Sequence, residues 1–118
     1  MYIMLYHGSK YHIKGYLVPH GSKVINGEKA VFATNSLIFS LLFGGRSFSD
    51  NEMEIGTQNK GRLTIIEKKR EVFKKIYDKK SCYVYSVSNR GFKKDKRLGM
   101  PKYEMISRHK IKFRKWRY

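Results

Sequence analysis

An α+β domain with one or two curved, mostly antiparallel sheets and two short helices is the fold class this chain predicts. Three observations lead there. Short apolar and alternating runs bounded by Gly, Asn and Ser outnumber the helical patterns, the two helical patterns fall between strands, and no internal repeat or low-complexity segment interrupts them. The 118 residues match the length of one domain, 1–118, with no room for a second core. An apolar fraction of 41%, with nine Tyr and seven Phe, supplies that core, and charge spread among the apolar segments argues against wholesale disorder.

Taken in order, the first ten residues read as a strand, with Ile3 and Leu5 opposite Met4 and Tyr6, closed by Gly8-Ser9-Lys10. Both of its faces are apolar enough for a central strand. Tyr11 to Pro19 is a second extended piece anchored by Ile13 and Leu17, and His20-Gly21-Ser22 with Asn26-Gly27 mark turns. Ala30 to Ala33 is a strand, and Thr34 or Asn35 is positioned to cap a helix over Ser36 to Phe43. That helix is apolar almost all round, which predicts burial on most sides, and Gly44-Gly45 stops it. Residues 46 to 60 are polar and read as a surface loop, and Arg62 to Glu67 as a strand through Leu63, Ile65 and Ile66. Lys69 to Tyr77 carries Val72, Phe73, Ile76 and Tyr77 at helical spacing. Cys82 to Val87 is a strand rich in β-branched and aromatic residues, followed by a turn at Ser88 to Gly91 and a basic loop at Lys93 to Arg97. Lys102 to Ser107 and Lys110 to Phe113 are the last strands, and Arg114 to Tyr118 trails off.

Composition narrows the function classes. Cys82 is the only cysteine, so no internal disulfide and no thiolate-rich metal site can form. His12, His20 and His109 show no metal-ligand spacing with one another or with acidic residues, so no metal is expected. The longest apolar run, Leu37 to Phe43, is far short of the roughly 20 residues of a membrane span, and no leader pattern opens the chain. An intracellular, cytoplasmic protein without membrane attachment is the expectation. Against 9 acidic residues stand 26 Lys and Arg, a net charge of +17 that favours nucleic acid or another polyanion, with an acidic protein as the further option.

Chemistry enters at three places. His7-Gly8-Ser9 ends the first strand with an imidazole, a backbone edge without a side chain and a hydroxyl, the groups needed to hold a carboxamide and a sugar edge. Val31-Phe32-Ala33-Thr34 runs straight into a helix, and Tyr103-Glu104-Met105-Ile106-Ser107 sets a carboxylate inside an apolar strand. In that order the three motifs resemble the ADP-ribosyltransferase superfamily of the histidine-tyrosine-glutamate type, which includes diphtheria-like toxins, poly-ADP-ribose polymerases and rifampin-modifying transferases. The resemblance implies a small ADP-ribosyltransferase-like fold and an NAD-dependent enzyme of the glycosyltransferase class, with NAD as co-substrate. On that resemblance His7 contacts a ribose of NAD, the Gly8 backbone pairs with the nicotinamide carboxamide and Ser9 supports that contact. Phe32 falls where the family has the tyrosine that stacks on nicotinamide, a departure that keeps the ring and loses the hydroxyl; a slip of one residue would place Val31 there instead. Glu104 is then the catalytic acid residue, holding the 2′-hydroxyl and stabilising positive charge as the glycosidic bond breaks. An NAD hydrolase or an RNA 2′-phosphotransferase-like activity fits the same resemblance.

The basic segments suggest where a polyanion would sit. Lys93 and Lys94 lie in one cluster, and Lys112, Arg114, Lys115, Trp116 and Arg117 in the tail, where aromatic residues interleave with the cations as in surfaces that combine phosphate neutralisation with base stacking. Two functions follow: an ADP-ribosyltransferase-like enzyme acting on an anionic macromolecule, nucleic acid among the candidates, or a non-catalytic basic nucleic-acid-binding module on the same scaffold.

Overall fold

Strand β1 (Met4–Ser9) runs between two other strands, as a segment with apolar residues on both faces requires. The structure, a computed structural model, describes residues 4–43, 51–58, 62–78, 82–98 and 103–117. It is an α+β fold of mostly antiparallel sheets with two short helices, and its residues fall into two compact units, 1–45 with 82–118 and 46–81. No helix among the described residues is long and apolar enough to cross a membrane.

The first unit is built on a six-stranded sheet. β1 pairs on one side with β7 (Tyr83–Ser88), residue for residue from Met4 opposite Ser88 to Ser9 opposite Tyr83. On the other side it meets β4 (Lys29–Thr34) at Tyr6 opposite Thr34. The far edge of β4 takes β3 (His20–Gly21) at Lys29 and Ala30, then β8 (Glu104–Ser107) at Val31 to Thr34. β10 (Arg114–Arg117) closes the other end against β7. Outside this sheet, β2 (Tyr16–Leu17) pairs with β9 (Ile111–Lys112).

The pleat of β4 sorts the core. Val31 and Ala33 join Leu5, Leu17, Tyr85, Val87 and Phe92 in one buried cluster, and Ala30 joins Ile25, Leu98 and Ile106 in the other, with Phe32 packed against it. Full burial of a Leu, Ile or Val side chain stabilises by about 1.5–3 kcal/mol, so a strand that feeds both clusters is fixed in register by both. Ile13 and Leu17 anchor the second extended piece as expected, Leu17 buried and Ile13 packed on the first cluster. The turn at Asn26-Gly27 follows a 3₁₀ turn over Lys23–Ile25, and Asn26 takes the left-handed conformation that few residue types other than Gly and Asn tolerate.

Several sequence expectations are corrected here. Helix α1 (Leu37–Phe43) is capped by Ser36, not by Thr34 or Asn35: the Ser36 hydroxyl accepts from the Phe39 amide at 3.1 Å, and Thr34 Oγ1 accepts in turn from the Ser36 amide at 3.1 Å. A cap reaches the amide three residues on, and Ser36 alone stands at that distance from Phe39. α1 is buried on most sides, as expected: Phe39, Ser40 and Leu42 are buried and Leu37 and Leu41 half-buried, while Ile38 is 65% exposed. Gly44-Gly45 lie outside the described residues. β7 starts at Tyr83, and Cys82, expected inside a buried strand, is half-buried just before it. Arg114 to Arg117 does not trail off: its backbone forms β10 along Arg114↔Ser86 to Arg117↔Tyr83, a ladder the charged side chains conceal.

The second unit corrects the expected loop over 46–60. β5 (Met53–Gln58) pairs with β6 (Arg62–Glu67) at every position from Met53↔Glu67 to Gln58↔Arg62. Polar composition masked a strand because its apolar positions, Met53 and Ile55, alternate with Glu54 and Gly56, as one covered face requires. The helix expected over Lys69 to Tyr77 is α2 (Val72–Tyr77). Its Phe73 amide is satisfied by Glu67 Oε1 at 3.0 Å, and the Phe73 and Tyr77 rings sit 4.8 Å apart.

Candidate active site

β1 places His7 next to the seam with β4. The His7 Nδ1 lies 2.6 Å from the Phe32 carbonyl oxygen. A carbonyl can only accept, so Nδ1 carries the proton and, in the neutral ring, Nε2 keeps its lone pair. Burial lowers the imidazole pKa below 6.5, against the smaller upward pull of the Phe32 bond, and His20 adds a further small lowering. His7 is therefore a neutral ring of fixed tautomer at pH 7, with the Tyr85 ring tilted beside it at 6.3 Å.

That depression has a consequence for stability. The unfolded chain takes up a proton near pH 6.5 while the folded ring does not, so acid favours unfolding from about pH 6.5 downward until His7 itself charges in the fold. Urea midpoints at pH 7.5 and 5.5 should separate more in the wild type than in His7→Gln, and equal separations would remove His7 as the cause.

The three motifs, at residues 7, 32 and 104, come together on three contiguous strands. Tyr6 lies opposite Thr34, and Thr34 opposite Glu104, forming one row across β1, β4 and β8. With strands about 4.8 Å apart, Tyr6 and Glu104 are separated by about 10 Å across this row. Registered partners share a face, so Tyr6, Thr34 and Glu104 lie on one side of the sheet together with Phe32, while His7, one residue along β1, belongs to the opposite face. The His7 bond to Phe32 spans the seam just where registered pairing of β1 with β4 is confined to Tyr6 and Thr34. Glu104 is half-buried rather than on an exposed face.

Of the remaining motif residues, Gly8 is opposite Val84 and Ser9 opposite Tyr83. The Ser9 hydroxyl oxygen accepts from the Tyr11 amide at 3.1 Å, which closes the turn after β1. Phe32 is half-buried, its ring packed against the Ile25, Ala30, Leu98 and Ile106 cluster. Sequence reasoning missed Thr34 and Tyr6 as the residues that align Glu104, because the row depends on pairing between segments far apart in the chain.

The structure divides the basic candidates between two places. Lys93 and Lys94 line a cleft with Gly91, Asp95, Ile106, Arg108 and His109. The tail residues lie elsewhere: Lys112 is opposite Tyr16, and Arg114 and Lys115 belong to β10. Lys115 Nζ contacts His12 Nε2 and lies 5.8 Å from the centre of the Tyr83 ring, on which His12 stacks at 5.4 Å. Lys110 sits 4.8 Å over the Tyr16 ring and Lys10 5.3 Å over Tyr11. The aromatic partners of these cations are thus Tyr11, Tyr16 and Tyr83. Phe113, which lies between Lys112 and Arg114 in the sequence, packs edge-on to Tyr85 at 4.6 Å in the first cluster. The backbones of Trp116 and Arg117 form part of β10, while their side chains, and all of Tyr118, lie outside what is described.

Comparison with protein-family models, curated proteins and solved structures gives no match.

Proposed function

We propose that the chain is an ADP-ribosyltransferase-like enzyme that uses NAD as co-substrate and transfers ADP-ribose to an anionic macromolecule. The observation that carries this reading is the convergence of the His7, Phe32 and Glu104 segments on adjacent strands β1, β4 and β8; because His7 belongs to the opposite face from Phe32 and Glu104, the nucleotide would meet all three where the β1–β4 seam opens beyond Tyr6 and Thr34 and the His7 ring reaches the Phe32 carbonyl. His7 offers a neutral ring whose Nε2 can accept from a ribose hydroxyl, and Gly8 offers a backbone edge that a carboxamide can approach. In the reaction the bond between nicotinamide nitrogen and ribose C1′ breaks, and its electron pair leaves with nicotinamide. Glu104 holds the 2′-hydroxyl and stabilises the oxocarbenium-like charge; an acceptor nucleophile then bonds to C1′ and loses its proton to solvent. Phe32 contributes through its carbonyl, which fixes His7, and through whatever part of its half-buried ring a nicotinamide can reach.

Calorimetric titration with NAD tests the pocket. Binding to the wild type that disappears in His7→Ala supports it, and no heat of binding at millimolar NAD overturns it.

A second reading, a basic nucleic-acid-binding module, is favoured by the Lys10–Tyr11, Lys110–Tyr16 and Lys115–Tyr83 pairs on a chain of net charge +17. Tyr11 is 66% and Tyr16 37% exposed, so bases have rings to stack on. Each phosphate-contacting lysine removed should reduce the slope of log affinity against log salt by about 1. Fluorescence anisotropy of a labelled single-stranded oligonucleotide with Lys110→Ala and Lys115→Ala measures this, and an unchanged slope in both variants would place nucleic acid elsewhere.

A further inference from the structure

The turn after β7 and the end of β8 build a second site that neither function above requires. Gly91, in the left-handed region at φ 77°, turns the chain so that Lys93 pairs with Ile106 through two backbone bonds, Lys93 N–H to Ile106 O at 2.8 Å and Ile106 N–H to Lys93 O at 2.9 Å. This lays the segment after Gly91 along the edge of β8 that faces away from β4. The result is a cleft of about 240 Å³ lined by Gly91, Lys93, Lys94, Asp95, Ile106, Arg108 and His109.

Its charge is one-sided. Lys93, Lys94 and Arg108 are cations, His109 is a further donor, and Asp95 is the one carboxylate among the lining residues. Asp95 is already committed: its carboxylate accepts from Arg97 Nε at 3.0 Å, from Arg97 Nη2 at 2.8 Å and from the Arg97 amide at 2.8 Å. These bonds hold its carboxyl well below the usual carboxylate range. The other nearby carboxylate, Glu28, is shared between Arg97 and Arg108, the latter at 3.2 Å, and the Arg97 bond lowers its pKa also. Arg97 and Arg108 together balance Asp95 and Glu28, so cations outnumber acids around the cleft, and Arg108 retains donors beyond the one given to Glu28.

We propose that this cleft is a binding site for a phosphate or diphosphate group. Two lysine point charges beside an arginine fork suit the tetrahedral, multiply charged oxygens of a phosphoryl group. The volume is below the about 300–1,000 Å³ of pockets that enclose drug-sized ligands, and it suits one small charged group rather than a whole cofactor. The site is separate from His7 and does not depend on the NAD reading.

Inorganic pyrophosphate is the probe, titrated by calorimetry against the full chain in the His7→Ala background, so that failure of the NAD pocket and failure of this cleft are told apart. Lys93→Ala and Arg108→Ala should each weaken binding by about tenfold, and Lys112→Ala, in β9 and outside the cleft lining, should leave it unchanged. Both exposed side chains can be shortened without touching the backbone bonds to Ile106, and circular dichroism confirms the fold. Competition by a 5′-phosphorylated single-stranded oligonucleotide, without competition by its unphosphorylated twin, identifies the source as a nucleic-acid end. Competition by ADP alone identifies a free nucleotide. Equal loss in Lys112→Ala and the cleft variants, or no pyrophosphate binding at millimolar concentration, overturns the site.

Discussion

Replacing Glu104 by glutamine is expected to leave NAD bound and to slow nicotinamide release by about 10²–10³-fold, the usual cost of losing one preorganised electrostatic group at a developing charge. Glutamine keeps the length and the hydrogen-bonding oxygen of the side chain, so the row that Glu104 forms with Thr34 and Tyr6 should survive the change. What disappears, on the proposed mechanism, is the negative charge beside the ribosyl cation. A half-buried position makes that charge worth more than it would be in open water, because the surrounding dielectric is lower. Nicotinamide release measured under saturating NAD separates this from a binding defect. An unchanged rate in Glu104→Gln would take the catalytic role from this residue and leave β8 as architecture.

Truncating Tyr85 to alanine should destabilise the first unit by about 3–5 kcal/mol, in the range of aromatic-to-alanine changes in cores. Tyr85 is fully buried in the first cluster and meets Phe113 edge-on. Its phenol also ties down the segment after β1: the hydroxyl accepts from the Ile13 amide at 2.6 Å and donates to the Tyr11 carbonyl at 2.9 Å. Burial pushes the phenol pKa up, so it remains a donor across the working pH range. Tyr85→Phe keeps the ring and orphans those two backbone groups, at a cost of about 1–3 kcal/mol. Urea unfolding of the three proteins orders them wild type, Phe, Ala. A Phe variant as unstable as Ala would assign the effect to the hydroxyl bonds rather than to packing.

Where apolar residues alternate or cluster without interruption, the fold was legible. β1, β4, β7 and β8 were each marked by such runs, and Ile13 and Leu17 were identified as anchors because little else in their segment is apolar. β5 was hidden by its polar composition and β10 by its charges, since both are held by backbone pairing that side-chain type does not report. The Ser36 cap was hidden by two other capping residues immediately before it. At the candidate site, His7 and Glu104 were visible as polar groups in apolar strands. The bond from His7 to Phe32, the Tyr6–Thr34–Glu104 row and the Glu28–Arg97–Asp95 cluster were not, because each joins segments whose proximity is set by strand order. The cleft behind β8 had a partial signal in the basic run Lys93 to Arg97, but the pairing of Lys93 with Ile106 had none.

The proposed nicotinamide-nucleotide site spans the β1–β4 seam, from His7 on one face to Phe32 and Glu104 on the other. Backbone amide resonances of the isotope-labelled protein, followed during an NAD titration, test it most directly. The account predicts saturable shifts concentrated at His7, Gly8, Phe32 and Glu104; no shift at millimolar NAD, or shifts confined to Lys93, Lys94 and Arg108, would contradict it.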